Sequence, residues 1–315
     1  MKAMIITAFG CPEVFEEREV AKPEPQATEL LVRVHASSVN PVDYKIRQAG
    51  SWAGVQPPAI IGYDVAGVVE AVGSGVKAFK AGDEVFYTPV IFGGQGSYAE
   101  YHVADESIVA RKPRNLNFLE AASLPLAGCT AWDAIEFMQL RPGHSVLIHA
   151  AAGGVGSLAV QIAKAAGARV LVTCRQSNDA LVRSLGADET IDYRSEDFVK
   201  AVLRLTDGEG VDAVYDTVGG DTLARSIEAT KPHGHLASIV DTSGDLNGAY
   251  SKNLRLYFGF MERARAKMEV LRVLAERGQL RSLIDSVLPL TQVADAHRRV
   301  EQGGVKGKVV LQVIE

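Results

Sequence analysis

The stretch His149–Gly156, HAAAGGVG, has the spacing of a dinucleotide-binding loop short of one glycine. In the G-x-G-x-x-G pattern the first glycine allows a tight turn, the second lets backbone approach a diphosphate, and the third lets helix and strand pack closely. Ala151 stands at the first position, and Gly153 and Gly156 hold the other two, with Gly154 between them. Alanine is the smallest replacement at the turn, and the positions nearest the phosphate keep glycine. The run SVLIHA before the loop is continuously apolar, as in a strand buried on both faces, and GSLAVQIAKAAGA after it stacks Leu158, Ile162 and Ala166 on one helical face. A loop between a buried strand and a helix start is the setting that gives the motif meaning. Free N–H groups and the positive end of the helix dipole would hold an anion there. A plain strand–helix turn is the competing reading of the loop taken alone.

The next strand, RVLVTC, ends at Cys174, and Arg175 and Ser177 follow. A site for NAD places Asp or Glu about 20 residues beyond the loop, to bind the ribose 2′-hydroxyl. Here no acid occurs until Asp179. A guanidinium with a hydroxyl nearby suits a 2′-phosphate, so the expected cofactor is NADP(H). The bland reading of Arg175 is a solvated loop charge.

No Ser/His/Asp or Cys/His constellation presents itself. His35, His102 and His149 lie in strand-like segments and read as satisfied structural histidines, and the HGH at 233–235 reads as a turn before a strand. Cys11, Cys129 and Cys174 are widely spaced and form no C-x-x-C pair, which supports neither a disulfide framework nor a cysteine-rich zinc site.

Two kinds of chain must position these groups. Residues 1–110 read as strands and turns: LLVRVHASSV, DVAGVVEAVGSGV, DEVFYTPVIF and SYAEYHVA, with one short helix at Asp43–Gln48. From about Leu119 to Glu276 strand and helix alternate through RVLVTC, NDALVRSL, ETIDY, EDFVKAVLRL, VDAVYDTV and GHLASIV, ending in the helix RAKMEVLRVLAERG. Repeated βα units imply a parallel sheet with right-handed crossovers. The closing QVADAHRRVEQGGVKGKVVLQVI reads as helix, glycine hinge and a strand able to return to the first domain. The expected architecture is α/β: a β-rich domain at 1–118, completed by about 287–315, and a doubly wound cofactor domain at 119–286.

The ordered set NPVDYKIRQAG, IGYDVAGVVEAVGSGVKAFKAGDEV, LAGCTAWDAI, HAAAGGVGSLAVQIAKAAGA and KGKVVLQV resembles the medium-chain dehydrogenase/reductase superfamily over essentially the whole chain. It is most similar to the zinc-free quinone oxidoreductase and enone (alkenal) reductase branch. The resemblance implies a GroES-like domain joined to a Rossmann domain. Laid along the motifs of the zinc alcohol dehydrogenases, Asn40, Tyr63 and Leu126 stand where the catalytic zinc ligands would be, and the four-cysteine structural lobe is replaced by a short stretch around IFGGQGSYAE. None of the three is a reasonable zinc ligand.

The same resemblance puts Asn40, Asp43 and Tyr44 beside the nicotinamide and substrate pocket. Asn40 is a donor to a carbonyl or to the cofactor carboxamide, and Asp43 a helix cap or orienting group rather than an acid. Tyr63 is the sharper candidate for polarising the substrate, with packing of the pocket wall as the alternative. Thr130 is implied near the carboxamide or diphosphate, and Gly153, Gly154, Val155 and Gly156 along the diphosphate. Arg175, Ser177 and Tyr193 would surround the adenosine phosphate, with Tyr193 as a stacking surface. Thr217, Val218 and Gly219 would meet the ligand at a strand end, and Phe258 and Phe260 of LYFGF would wall an apolar pocket near the nicotinamide. Lys308 is implied to reach cofactor or substrate, unless it is simply a solvated lysine at a strand start.

Without a metal to polarise an alcohol, hydride transfer needs an acceptor that is already electron-poor, such as a quinone, enone or enal. The expected function is therefore a zinc-independent, NADPH-dependent reductase of quinones or α,β-unsaturated carbonyls. An enoyl reductase acting on a carrier-bound substrate and a non-catalytic NADPH-binding sensor are the alternatives. A net charge of −5 with no dense Lys/Arg block argues against a nucleic-acid or anionic-membrane partner. The opening MKAMIITAFG is too short an apolar run for a signal peptide, and no run approaches a membrane span, so a reduced cytoplasm is the expected setting. The resemblance further suggests a homodimer joined at the edge of the cofactor-domain sheet near GHLASIV.

Overall fold

The computed structural model describes Met1–Ile314. Strands β1 (Lys2–Ile6), β2 (Phe15–Glu19) and β3 (Glu29–Val39) open the chain, and Asn40–Pro41 ends the third of them. Proline presets the first turn of α1 (Pro41–Ala49), while the Asp43 carboxylate accepts from the Asn40 N–H at 2.7 Å. Then come β4 (Ala59–Ile60), β5 (Val65–Val72), β6 (Glu84–Tyr87), β7 (Tyr101–Asp105), β8 (Ala110–Arg111), α2 (Phe118–Ala122) and α3 (Pro125–Met138). The alternating part runs β9 (Ser145–Ile148), α4 (Gly154–Ala165), β10 (Arg169–Cys174), α5 (Asp179–Ser184), β11 (Glu189–Asp192), α6 (Phe198–Leu205) and β12 (Val211–Asp216). It continues with α7 (Thr222–Ser226), β13 (Thr230–Ser238), α8 (Gly248–Ser251) and β14 (Arg255–Phe258). The chain closes with α9 (Arg265–Glu276), β15 (Ile284–Pro289), α10 (Val293–Glu301) and β16 (Lys308–Gln312).

Two compact units divide the chain: Met1–Cys129 with the residues from Glu262 onward, and Thr130–Met261. The breaks fall inside α3 and before α9, where the sequence placed them at 118 and 287. The apolar face of α9 accounts for the difference. Met268, Leu271 and Ala275 are buried, Leu271 lies where a side chain on Gly128 would go, and Cys129 Sγ is 3.4 Å from Met268 Sδ. Asn115 Nδ2 donates to the Ala275 carbonyl at 2.9 Å, and the Ser123 and Ser282 hydroxyls are 2.6 Å apart. These contacts draw residues 119–129 and 262–286 into the first unit.

In the first unit β16 returns to pair antiparallel with β3, in the sheet order β15-β16-β3-β5-β6-β8, with β7 also on β3. A second sheet, β2-β1-β4, had no separate signature in the sequence. In the second unit six parallel strands run β11-β10-β9-β12-β13-β14 around a core of Leu147, Leu171, Val214 and Leu236. One expectation for this sheet needs correction. GHLASIV lies in or just beyond β13, which is internal, because Arg255–Phe258 of the LYFGF segment pairs beside it as the edge strand β14. The crossover helix α7 has five residues, too few for a helical period to show in the sequence.

Candidate active site

The first unit gathers its candidates around an acid that motif spacing did not single out. Asp64 is wholly buried: its Oδ2 accepts from Ser38 Oγ at 2.6 Å, from Asn40 Nδ2 at 2.7 Å and from Lys308 Nζ at 3.3 Å, and its Oδ1 accepts from the Leu126 N–H at 2.8 Å. Lys308 also donates to Asn40 Oδ1. A buried carboxylate needs this many donors to offset its lost hydration. The only sequence signal was an acid inside the otherwise apolar IGYDVAGVV. Lys308, at 5% exposure, is therefore no solvated strand-start lysine. Both ends of the Asn40 amide are engaged within the protein, which leaves one N–H for any ligand.

Asp43 caps α1 as expected, but it is also fully buried. Its Oδ2 accepts from the Tyr98 hydroxyl at 3.0 Å, while Oδ1 has no partner. Burial pushes its carboxyl up to about 7, against the opposing pull of the Asn40 N–H and the Lys308 charge. Tyr63 is also buried, with its hydroxyl unpartnered. Burial and then the Asp43 charge raise its phenol further above the usual tyrosine range, so it is a neutral donor. Tyr44 is half-buried on α1, and its phenol is raised by burial and then by Glu301.

The zinc ligand positions hold Asn40, Tyr63 and Leu126, a donor set that does not fit the metal. Among the described residues no group of three or more His, Cys, Asp or Glu side chains could hold a metal ion.

In the second unit the loop's left-handed residue is Ala150, at φ 53°, and not Ala151. The position that lacks its glycine thus requires no positive φ, which removes the objection to alanine there. The Ala151 N–H donates to the Thr173 carbonyl at 3.2 Å, tying the loop to β10. Gly156 is needed for space: a Cβ there would lie 2.4 Å from the Ala150 carbonyl oxygen and 2.9 Å from Ala151 Cα. Gly153 is the N-cap of α4, with a Cβ position 3.3 Å from the same oxygen. The first N–H groups of α4, on Gly154, Val155 and Gly156, have no intrahelical partner by helix geometry. A loop that presents them with glycine on either side fits a nicotinamide dinucleotide.

Arg175 and Tyr193 are brought together, with Nε donating to the phenol oxygen at 3.2 Å, and Ser177 is exposed in the turn Gln176–Asn178. Thr217 Oγ1 donates to the His149 carbonyl at 2.8 Å, which joins the end of β12 to the loop after β9. A second buried acid that no motif marked, Asp216, accepts from the Val218 and Gly219 N–H groups at 2.8 and 3.0 Å. Gly219 takes φ 87°, a left-handed conformation that favours glycine. Thr130 is nearly buried, and its carbonyl accepts from the Tyr215 hydroxyl at 3.1 Å. Phe258 ends β14 and Phe260 follows it, both more than half exposed.

The structural histidines predict acid sensitivity. Burial pushes His102 down to about 4, and His149 and His297 to about 3. Unfolded histidine takes its proton near pH 6.5, so between there and about pH 4 each of the three binds a proton only on unfolding. Stability therefore falls by about 1.4 kcal/mol per pH unit for each. Asp43 has the opposite sign, since its raised folded value makes the native state hold the extra proton between about pH 4 and 7. The histidines outweigh it, and urea unfolding should show stability declining as pH drops from 6.5 to 4.5. A flat profile would contradict their buried neutral state.

Family models describe residues 26–114 as an alcohol dehydrogenase GroES-like domain and 185–311 as a zinc-binding dehydrogenase. The chain is 36% identical to a quinone oxidoreductase of Pseudomonas aeruginosa, over 98% of this chain and 99% of that one. It is 37% identical to the 2-methylene-furan-3-one reductase of Solanum lycopersicum, over all of this chain and 79% of the relative. Among solved structures, the quinone oxidoreductase of Coxiella burnetii superposes with a TM-score of 0.90 at 35% identity, covering 100% of this chain and 99% of the other.

Proposed function

The chain belongs to the quinone oxidoreductase branch of the medium-chain dehydrogenase/reductase superfamily, and from that premise we propose that it is an NADPH-dependent reductase of quinones or α,β-unsaturated carbonyls. The observation that carries the cofactor half of this reading is the glycine loop on α4, followed at the end of β10 by Arg175, with no acid in the chain from there until Asp179. Gly153, Gly154, Val155 and Gly156 hold the diphosphate. Arg175 and Ser177 bind the 2′-phosphate, and Tyr193 stacks on the adenine. Val218 and Gly219, held by Asp216, and Thr217, held on the His149 carbonyl, line the carboxyl edge of the sheet with Thr130, and Phe258 and Phe260 supply apolar wall.

Bound NADPH supplies a hydride, and conjugation in the acceptor carries the arriving charge to a carbonyl oxygen. The Tyr63 phenol, buried, neutral and without a protein partner, donates to the oxygen where charge develops. Asn40 contributes its remaining N–H, and Tyr44 borders the acceptor. We assign Lys308 to holding Asn40 in register, since its ammonium is already bound to Asn40 and Asp64. The chain is read as a homodimer whose contact is the edge strand β14. Among the described residues no helix is long and apolar enough to cross a membrane.

Titrating the protein with NADPH and NADH and assaying a panel of quinones and enones tests the reading. Arg175→Ala should weaken NADPH binding about tenfold and NADH binding much less, the loss of one charge-assisted phosphate contact. Equal losses would remove the 2′-phosphate assignment, and tight NADPH binding without turnover of any acceptor would favour a sensor.

A further inference from the structure

Behind Asp43 runs a chain of buried side chains that the proposed reaction does not use. Arg47, Tyr98 and His297 are each at 1% exposure or less. Arg47 Nη1 lies 3.4 Å from His297 Nδ1, His297 Nε2 lies 3.1 Å from the Tyr98 hydroxyl, and that hydroxyl lies 3.0 Å from Asp43 Oδ2. Arg47 is anchored by Nε on the Gly10 carbonyl at 3.1 Å and by Nη2 on Glu301 at 2.5 Å. Phe15 packs edge-on against the His297 ring at 4.9 Å.

The chain has one direction. A guanidinium only donates, so His297 Nδ1 must accept. Neutral imidazole then carries its hydrogen on Nε2 and donates it to the Tyr98 oxygen. Tyr98 is left with its own O–H to give, and Asp43 Oδ2 receives it beside the Asn40 N–H. Oδ2 is thereby committed to accepting from two donors, while Oδ1 has none and is equally buried.

We propose that Arg47, His297 and Tyr98 are positioning residues whose one-way hydrogen-bond chain orients Asp43 so that Oδ1 carries a proton and donates it in a hydrogen bond to the carbonyl oxygen of the bound acceptor. A naked carboxylate oxygen in that place would carry the cost of an unsatisfied buried charge, and an O–H there wants an acceptor that the protein does not supply. Tyr63, the other buried hydroxyl without a partner, senses the Asp43 charge, so the two groups share one electrostatic neighbourhood. The charged and titratable groups around Asp43 pull both ways. Asp64 beside β5 favours the protonated acid, Lys308 on β16 and the Tyr98 hydroxyl oppose it, and burial exceeds them all. Arg47 on α1 and His297 on α10 are linked to it through Tyr98, Glu301 is taken up by Arg47, and Arg263 faces Tyr63.

The role toward the acceptor rests on the reductase reading, but the proton on Asp43 is measurable without turnover. Infrared difference spectra of the whole protein across pH 5–9 should contain a protonated carboxyl band lost on Asp43→Asn. In wild type it should titrate near 7. Tyr98→Phe removes a donor to the carboxylate and should shift that titration upward by about half a unit or more, and His297→Phe should shift it the same way by less. If turnover is found, the alkaline limb of its kcat profile should move with the band. A wild-type band titrating in the ordinary carboxylate range, or one unmoved in Tyr98→Phe, overturns the relay. Absence of turnover with the titration intact overturns only the reductase reading.

Discussion

Asp64→Ala should cost about 3–5 kcal/mol of stability, read from urea unfolding, because it leaves a buried ammonium without its counter-charge. Lys308 would keep only the Asn40 amide oxygen, and Ser38 Oγ, Asn40 Nδ2 and the Leu126 N–H would each lose their acceptor. Most of that cost comes from the orphaned charge, which gives the prediction a second arm. Asp64→Ala combined with Lys308→Met should recover a substantial part of the loss, since residues in direct contact couple by about 0.5–3 kcal/mol. Purely additive costs would mean that the pair contributes through packing and not through charge. The neutral donors around Asp64 remain unsatisfied in the double variant, so full recovery is not expected.

Gly156→Val should lower NADPH affinity by about 10–100-fold, equivalent to about 1.4–2.7 kcal/mol, and cost about 1–3 kcal/mol in stability from overpacking. The first atom of the new side chain would already sit 2.4 Å from the Ala150 carbonyl oxygen, and that neighbour is backbone. The first turn of α4 must then tilt away from the loop and carry its N–H groups with it. Gly153→Ala separates the two roles of glycine in this loop. Its Cβ would be 3.3 Å from the same oxygen, tight but short of a clash, so the fold should survive while backbone approach to the phosphate suffers. NADPH fluorescence titration of both variants checks this, and an unaltered affinity in Gly156→Val would detach the loop from the cofactor.

Legibility in the sequence followed the range of the interaction. Strand β10 lies where RVLVTC placed it, and α4 ends before Gly167, whose φ of 83° makes it the stop that the sequence implied. Both are local matters of period and backbone conformation. The loop's missing glycine was legible as a gap but not as harmless, since only the folded backbone moves the left-handed turn onto Ala150. The edge strand β14 was hidden for a similar reason: its four residues alternate no more clearly than a loop, and pairing with β13 alone defines it.

By itself the sequence determined the βα alternation, the glycine loop, the absence of an acid between the end of β10 and Asp179 and the loss of zinc donors, because each is carried by neighbouring residues or by a residue's chemical type. The tertiary structure decided which charges are buried and what faces them. Lys308 meets an aspartate 244 positions away, and His297 meets Tyr98 across 199. No spacing rule reaches across such distances. Those partnerships follow from β16 returning to β3 and from α10 packing onto the same unit, and only that closure turns Asp43 from a helix cap into a buried acid with one free oxygen.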